Sequence, residues 1–171
     1  CKVASFEDTK SAQLGSYLPT DLEMDPDEVV TWVIDPEDYK ADVLFVFENG
    51  RVARIALAGY VTKTNRKRLK NAIYGGSKLL FAQVLKEERD LALVSSDYRL
   101  MNFNTSLLKT KTTTSTQGVQ AFTSKANRII TNVGITEDFL GASVSAGKFT
   151  AQSLPSSGAP MKEDDMPSLF D

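Results

Sequence analysis

Several chemistries are excluded by what the sequence lacks. Histidine is absent, and Cys1 is the single cysteine in the chain. These two absences exclude Ser-His-Asp and Cys-His nucleophilic sites, imidazole zinc sites, an internal disulfide and a cysteine metal cluster. No apolar run approaches the ~18 residues of a membrane-spanning helix. We therefore expect a cytoplasmic protein with no membrane partner and few routes to catalysis.

The rest of the composition is that of an ordinary globular domain. The chain has 171 residues, of which 42% are hydrophobic and 25% are charged, and this length can bury a core in one domain. Because the chain begins with Cys1 rather than Met, we expect it to be a piece of a longer protein.

Charge is unevenly distributed along the chain. Residues 1–50 hold 3 basic and 12 acidic side chains, residues 51–128 hold 15 and 4, and residues 129–171 hold 2 and 6. The middle segment thus carries a net charge of +11, while the whole chain carries −2. Its densest part lies between Lys63 and Lys70. Such a local field can bind an acidic ligand, and the alternative interpretation is a solvated charged loop.

Two segments repeat one another at an offset of 48 residues. The apolar run Val43–Phe47 corresponds to Leu91–Val94, and the turn Asn49–Gly50 corresponds to Asp97–Tyr98. In both copies an apolar run, a turn and a second run of mixed polarity give the pattern of a β-hairpin. We predict two hairpins centred on these turns. Their buried side chains should include Val43, Phe45, Phe47, Leu91, Leu93 and Phe103.

A third copy, at an offset of 49, places Val29–Ile34 on the segment that begins at Lys78. Helix propensity would favour a helix over Ser77–Arg89, but the β-branched and aromatic repeat partner favours a strand there. Short strands are also predicted at Val119–Thr123 and Ile129–Val133. A period of this length with several strands per unit predicts a propeller-like, all-β architecture of about three blades of ~48 residues.

The pattern ends near residue 143. Ser, Ala, Gly, Pro and charged residues dominate from there on, and the last residues form an acidic patch. We therefore predict a blade domain over residues 1–142 and a flexible acidic tail over residues 143–171.

Four segments carry a resemblance to a known family. Val46–Arg54 contains FENG, Tyr60–Arg68 contains TKTNRK, Lys111–Gln120 contains TQGVQ, and Leu93–Ser96 lies between them. Together they resemble the C-terminal domain of the A subunit of bacterial type IIA DNA topoisomerases, DNA gyrase and topoisomerase IV, over roughly residues 1–140. The resemblance implies a β-pinwheel, a disc of blades whose rim bends and wraps duplex DNA.

One departure from the family pattern leaves the choice between gyrase and topoisomerase IV open. Gyrases that wrap DNA strongly carry a Gln-Arg-Arg-Gly-Gly-Arg-Gly-like box, and this sequence has no such heptapeptide.

The resemblance also implies a role within a larger enzyme. This chain would be a noncatalytic DNA-binding and DNA-wrapping domain of an ATP-dependent, nucleoid-associated bacterial topoisomerase that controls supercoiling. Its partners would be double-stranded DNA, the ATPase B subunit and a dimer of A subunits. ATP, magnesium and the cleavage tyrosine would lie elsewhere, so we expect no cofactor, metal or catalytic residue in this chain. Tyr98 is then a turn residue and not a nucleophile.

Duplex binding without sequence preference requires Lys and Arg side chains along one surface, where they contact phosphates. Corresponding loops of adjacent blades share a rim, and a duplex lying across that rim could be bent. Hydroxyls in the same loops, including those of Thr110 and Thr114, are candidate donors to phosphate. The candidate DNA-binding cations are Arg51, Arg54, Lys63, Arg66, Lys67, Arg68, Lys70, Lys78, Lys109, Lys111 and Lys125.

Two other functions remain open at this point. The first is a protein-interaction propeller whose basic rim binds an acidic partner, and the acidic block 1–50 or the tail could be that partner within the chain. The second is a small-molecule enzyme, which the absence of histidine and of a convergent acid–base set disfavours. Aligned basic loops would favour DNA, whereas a basic spot beside an apolar patch would favour a protein.

Overall fold

Two antiparallel four-stranded sheets make up most of the regular secondary structure of the described residues. The structure is a computed structural model and describes residues 8–64, 69–123, 125, 127–139 and 146–162. The strands are β1 (Asp42–Phe47), β2 (Arg51–Ala56), β3 (Leu79–Leu85), β4 (Asp90–Ser95), β5 (Arg99–Asn104), β6 (Val119–Gln120), β7 (Ile130–Ile135) and β8 (Ala159–Pro160). The first sheet has the order β3-β1-β2-β6, and the second has the order β7-β4-β5-β8.

Helical elements are short throughout the described ranges. They are the helices α1 (Leu18–Asp21) and α2 (Thr136–Phe139) and the 3₁₀ turns Leu57–Tyr60, Thr105–Leu107 and Ala146–Phe149. None of the described helices is long and apolar enough to cross a membrane. The all-β prediction is confirmed. The strand predicted in place of a helix is also confirmed, because β3 pairs with β1 along its length.

Both predicted hairpins are confirmed. β1 pairs with β2, and β4 pairs with β5 in the corresponding register. In the first turn the N–H of Gly50 donates to the Phe47 carbonyl at 2.9 Å, and in the second the N–H of Tyr98 donates to the Ser95 carbonyl at 3.0 Å. Gly50 has φ +77° and Tyr98 has φ +55°. The two turns therefore share one backbone geometry, although only the first uses glycine.

The strands that complete the sheets interleave along the chain. β3 joins the first sheet before the second hairpin begins, and β6 returns to pair with β2 after that hairpin ends. β7 and β8 then complete the second sheet. Both sheets also share a shift in strand register. It lies between Val46 and Phe47 where β1 pairs with β3, and between Val94 and Ser95 where β4 pairs with β7. The first sheet is therefore complete only once the second hairpin is in place.

One apolar core lies between the two sheets. Leu44 and Val46 of the first sheet form a buried cluster with Leu91, Leu93 and Phe103 of the second. All five side chains are fully buried. The side chains predicted to be buried are all buried, namely Val43, Phe45, Phe47, Leu91, Leu93 and Phe103.

The outward faces of the sheets are covered as well. On the first sheet, Phe45 and Ile55 belong to a cluster that includes the half-buried Tyr39. On the second sheet, Val94 packs with Phe149. Because the hairpins are buried on both faces, their first strands, β1 and β4, carry nearly unbroken apolar runs in place of an alternating pattern.

The predicted count of about three blades is wrong for the described residues, which form two sheets. Val29–Ile34 has no regular secondary structure and pairs with none of the described strands. Two of its side chains contact the first sheet, since the Trp32 ring lies 5.8 Å from the Phe81 ring and Ile34 joins the outward cluster, while Val29 and Val33 are exposed. A strand needs a paired neighbour. The segment that the repeat aligns with β2, residues 2–4, lies outside the described residues.

The prediction of a flexible tail from residue 143 is wrong for residues 146–162. Phe149 is buried beneath the second sheet, and β8 pairs with β5. Arg99 donates through Nε to the Ser157 carbonyl at 2.7 Å and through Nη2 to the Gly158 carbonyl at 2.6 Å. The segment is polar in overall composition, but its one large aromatic residue, Phe149, packs on the outward face of the second sheet. The acidic residues 163–171 lie outside the described residues.

Exchanges at the two turns test their shared geometry. The left-handed backbone of Tyr98 costs an L residue roughly 1 kcal/mol, and its side chain is exposed. We expect Tyr98→Gly to raise the free energy of unfolding by about 0.5–1 kcal/mol. Gly50→Ala should lower it by about 1–2 kcal/mol, because a Cβ there would lie 3.1 Å from Phe122. Urea unfolding measures both, and a destabilised Tyr98→Gly would contradict the equivalence.

Arg128, which precedes β7, forms an ion pair with Asp97 in the second turn. Its side chain is 5% exposed. Nε donates to the two carboxylate oxygens of Asp97 at 3.0 and 3.1 Å, and the guanidinium lies 5.3 Å from the centre of the Phe122 ring. The bonds from Arg128, together with one from Ser95, lower the pKa of Asp97 to about 2.

Stability should therefore fall between pH 4 and pH 2. Because the pKa of Asp97 is depressed in the folded state, its contribution is present above the unfolded pKa of about 3.9 and is lost as the pH falls to about 2. Asp97 is half exposed, so we expect a loss of about 1 kcal/mol. In urea unfolding, Asp97→Asn should flatten this pH dependence, whereas Asp27→Asn, at an exposed carboxylate, should retain it. The same profile in both variants would contradict the assignment.

Candidate nucleic-acid interface

Two chain connections that adjoin the first sheet carry eight of the candidate cations, among them two pairs of exposed lysines. The first connection leads from β2 to β3 and carries Lys63 and Lys70, and the second leads from β5 to β6 and carries Lys109 and Lys111. Lys111 lies alongside β2, because its main chain donates one hydrogen bond of 2.8 Å to that strand and accepts another of 2.8 Å from it. The second connection thus runs beside β2, on the side of that strand where β6 pairs.

The two connections contact each other. The Thr114 hydroxyl of the second connection donates to the Asn71 carbonyl of the first at 3.0 Å. The carbonyl oxygen of Thr112 lies 2.8 Å from the place that a Cβ on Gly59 would occupy. The repeat predicted that these basic loops lie on adjacent blades along one rim, whereas in the described structure both connections lie beside the first sheet.

The four lysines are available to a ligand. Lys63, Lys70, Lys109 and Lys111 are exposed, and none of them makes an ion pair with another described side chain. Four positive charges on two touching loops form a surface that suits closely spaced phosphates. We call these four residues the lysine cluster.

Three other candidates lie towards the opposite end of the sheets. Arg51 starts β2 directly after the first turn, and the Lys78 carbonyl accepts a hydrogen bond of 2.9 Å from the main chain of that turn. Lys125 belongs to the segment that Arg128 ties to the second turn. A six-residue strand is about 20 Å long, so the structure does not bring these residues together with the lysine cluster.

Arg54 is directed into the protein. Its side chain is 16% exposed, with Nε 2.6 Å from an Asp42 carboxylate oxygen and Nη1 2.8 Å from a Glu88 oxygen. A hydrogen bond from the Thr105 hydroxyl, followed by one from Arg54, lowers the pKa of Glu88. Arg54 pairs with Leu44 across β1 and β2 and so shares the face that packs on the second sheet. It ties the sheets together and is not a surface cation.

Other cations of the basic segment are also engaged within the protein. Lys86 pairs with Glu37 at 2.5 Å, and Arg89 pairs with Glu137 at 2.9 Å. Arg99 donates to the Ser157 and Gly158 carbonyls, and Arg128 pairs with Asp97. The positive charge of residues 51–128 is thus partly neutralised, and the lysine cluster is part of what remains. Nothing in the sequence indicated which cations form ion pairs within the protein and which remain unpaired.

Hydroxyls in the second connection have internal partners. Thr110 donates to an Asp42 carboxylate oxygen at 2.7 Å, and Thr114 donates to the Asn71 carbonyl. Each of these protons is therefore engaged and not free for a phosphate. The candidate cations Arg66, Lys67 and Arg68 lie outside the described residues.

The described ranges hold no obvious centre for metal chemistry. No three His, Cys, Asp or Glu side chains come together there in a way that could hold a cation. Tyr98, the one tyrosine beside an arginine in a turn, is exposed at the tip of the second hairpin.

Comparison with solved structures identifies the fold. The chain matches the crystal structure of the C-terminal domain of DNA topoisomerase IV with a TM-score of 0.69, at 21% identity over 79% of this chain. It matches the DNA gyrase A C-terminal domain with a TM-score of 0.52, at 14% identity over 74% of this chain. The match spans 42% and 46% of those two chains. The expected β-pinwheel fold is therefore confirmed. No family model and no curated protein sequence matches the chain.

Removal of Arg54 should destabilise the fold. Arg54→Met leaves the carboxylates of Asp42 and Glu88 without their cation, and we expect a loss of about 2–4 kcal/mol in the free energy of unfolding. Arg51→Met is the matched control. The Arg51 side chain makes no ion pair with a described residue, so its change should stay within about 0.5 kcal/mol. Equal effects of the two variants in urea unfolding would contradict the structural role of Arg54.

Proposed function

We propose that this chain is a noncatalytic DNA-binding unit that contacts the phosphates of duplex DNA through the lysine cluster. The observation that supports the proposal is the position of four exposed, unpaired lysines on two touching connections. Lysine ammonium groups neutralise phosphates, release counterions and carry no base-reading geometry. Binding should therefore be strong at low salt and indifferent to sequence.

We further propose that the unit bends or wraps DNA as part of a bacterial type IIA topoisomerase A subunit and so contributes to the control of supercoiling. Support comes from the fold shared with the C-terminal domains of topoisomerase IV and gyrase A. Arg51, Lys78 and Lys125 offer a second set of contacts about one strand length away. A duplex that contacts both sets would be held at two points, as bending requires.

The remaining parts of such an enzyme lie outside this chain. Because the chain matches less than half of each related domain, the ATP-dependent reaction, its magnesium, the B subunit and the A-subunit dimer are assigned to the parent protein. The proposed location is the bacterial cytoplasm, in association with the nucleoid.

An acidic protein partner is the second candidate. Val61, in the same connection as Lys63, is 58% exposed, and Leu69, beside Lys70, is 37% exposed. An acidic peptide with an apolar side chain could use both kinds of surface. DNA would have no use for these apolar residues, so Val61→Ser should leave DNA affinity unchanged and weaken a protein partner.

Charge reversal at two lysines tests the DNA proposal. Each phosphate contact contributes about 0.9 to the slope of log K against log salt concentration. We expect Lys109→Glu with Lys111→Glu to reduce that slope by about 2 and to weaken binding equally for duplexes of unrelated sequence. The measurement is a salt titration with fluorescent duplexes. The fold should survive, because exposed charges contribute little to stability.

Lys10→Glu with Lys40→Glu is the charge-matched control. Both of these lysines are exposed and lie outside the lysine cluster, so the slope should change far less. A pair of reversals at Lys109 and Lys111 that leaves the slope intact would show that DNA follows another surface. Loss of one preferred sequence with general affinity retained would indicate base reading and contradict the proposal. The linking number of closed circles relaxed in the presence of the chain reports wrapping.

A further inference from the structure

Two side-chain hydroxyls hold the exit of the first basic connection. Tyr60 Oη donates to the Ala72 carbonyl at 2.8 Å, and Thr114 Oγ1 donates to the Asn71 carbonyl at 3.0 Å. The two accepting carbonyls belong to consecutive residues directly after Lys70. The main chain next to Lys70 is therefore fixed from two sides, by the start of its own connection and by the second connection.

The Tyr60 contact is part-buried, whereas the Thr114 contact lies at the surface. Tyr60 packs in the outward cluster with Ile73 and Tyr74, and burial raises the pKa of Tyr60 to about 12. Its hydroxyl therefore keeps its proton at neutral pH and remains a donor. The close approach of Gly59 to the Thr112 carbonyl leaves no room for a side chain between the two connections.

The second connection provides a fixed reference. Lys111 is bonded to β2 through its main chain, and Thr114 follows it by three residues. The first connection is tied to this reference through the Thr114 hydroxyl. The position of Lys70 relative to Lys111 thus depends on specific hydrogen bonds and is not left to a free loop.

We propose that Tyr60 and Thr114 are positioning residues that align Lys70 with Lys109 and Lys111 along one phosphate backbone. The proposal rests on the DNA-binding function above and adds that affinity depends on the spacing of the lysines as well as on their number. Phosphates along a strand are regularly spaced. A row of lysines with preset spacing contacts several of them without first having to order a loop.

A double-mutant cycle between Thr114→Val and Lys70→Gln tests the alignment. The measurement is the slope of log K against log salt for a mixed-sequence duplex, well below the unfolding temperature. In the unchanged protein, Lys70→Gln should lower the slope by about 0.9. In the Thr114→Val background it should lower the slope by less than half of that, and Thr114→Val alone should weaken binding about fivefold. Tyr60→Phe supplies a second background if Thr114→Val does not fold.

Thr131→Val is the matched control. Its hydroxyl also donates to a main-chain carbonyl, that of Val94 at 3.3 Å, but within the second sheet. Lys70→Gln should keep its full effect in that background. An equal effect of Lys70→Gln in the unchanged, Thr114→Val and Tyr60→Phe proteins would overturn the positioning role while DNA binding stands. An unchanged protein without salt-dependent DNA binding would overturn the proposed function as well.

Discussion

Each hairpin is buried on both faces, and the rest of the structure depends on this constraint. A fully buried Leu or Phe side chain contributes about 1.5–3 kcal/mol, whereas an exposed ion pair contributes about 0–1 kcal/mol. The cluster around Leu44, Leu91 and Phe103 therefore decides how the sheets stack. The exposed ion pairs such as Lys86–Glu37 adjust the surface of an arrangement that packing has already set. Arg54 differs, because it lies between the sheets.

The interleaved order of the strands places the candidate interface. The first sheet lacks its last strand until β6 returns from the second hairpin to β2. The chain that makes this return carries Lys109 and Lys111, and its main chain at Lys111 is bonded to β2. It thereby meets the connection that carries Lys63 and Lys70. Lys63 and Lys109 are 46 residues apart along the chain, and Lys70 and Lys111 are 41 residues apart. The lysine cluster is thus a consequence of the topology.

The sequence contained enough information to predict the hairpins but not their surroundings. The offset of 48 residues located both turns, and the apolar runs located the buried strands, because two-sided burial leaves a strong local signal. Val29–Ile34 carries the same local signal and yet pairs with none of the described strands, since pairing depends on a neighbour that a local pattern does not reveal. Phe149 shows the opposite case, one buried aromatic residue in a polar segment. For the site, charge density identified the lysines but could not separate Lys111 from Arg54, whose carboxylate partners come from other strands and turns.

The two sheets use opposite faces of equivalent strands where they pack together, and this affects how molecules could associate. Leu44 and Val46, on the face of the first sheet that receives the second, are equivalent by the repeat to Ala92 and Val94, on the outward face of the second sheet. A bare second sheet would therefore present a surface matched to the outward face of a bare first sheet in another molecule, and such a head-to-tail contact would join molecules into a ring or a filament. Tyr39 and its neighbours cover one end of the stack, and Phe149 covers the other. By covering these two faces, the segments prevent the head-to-tail association that the repeated sheet would otherwise allow.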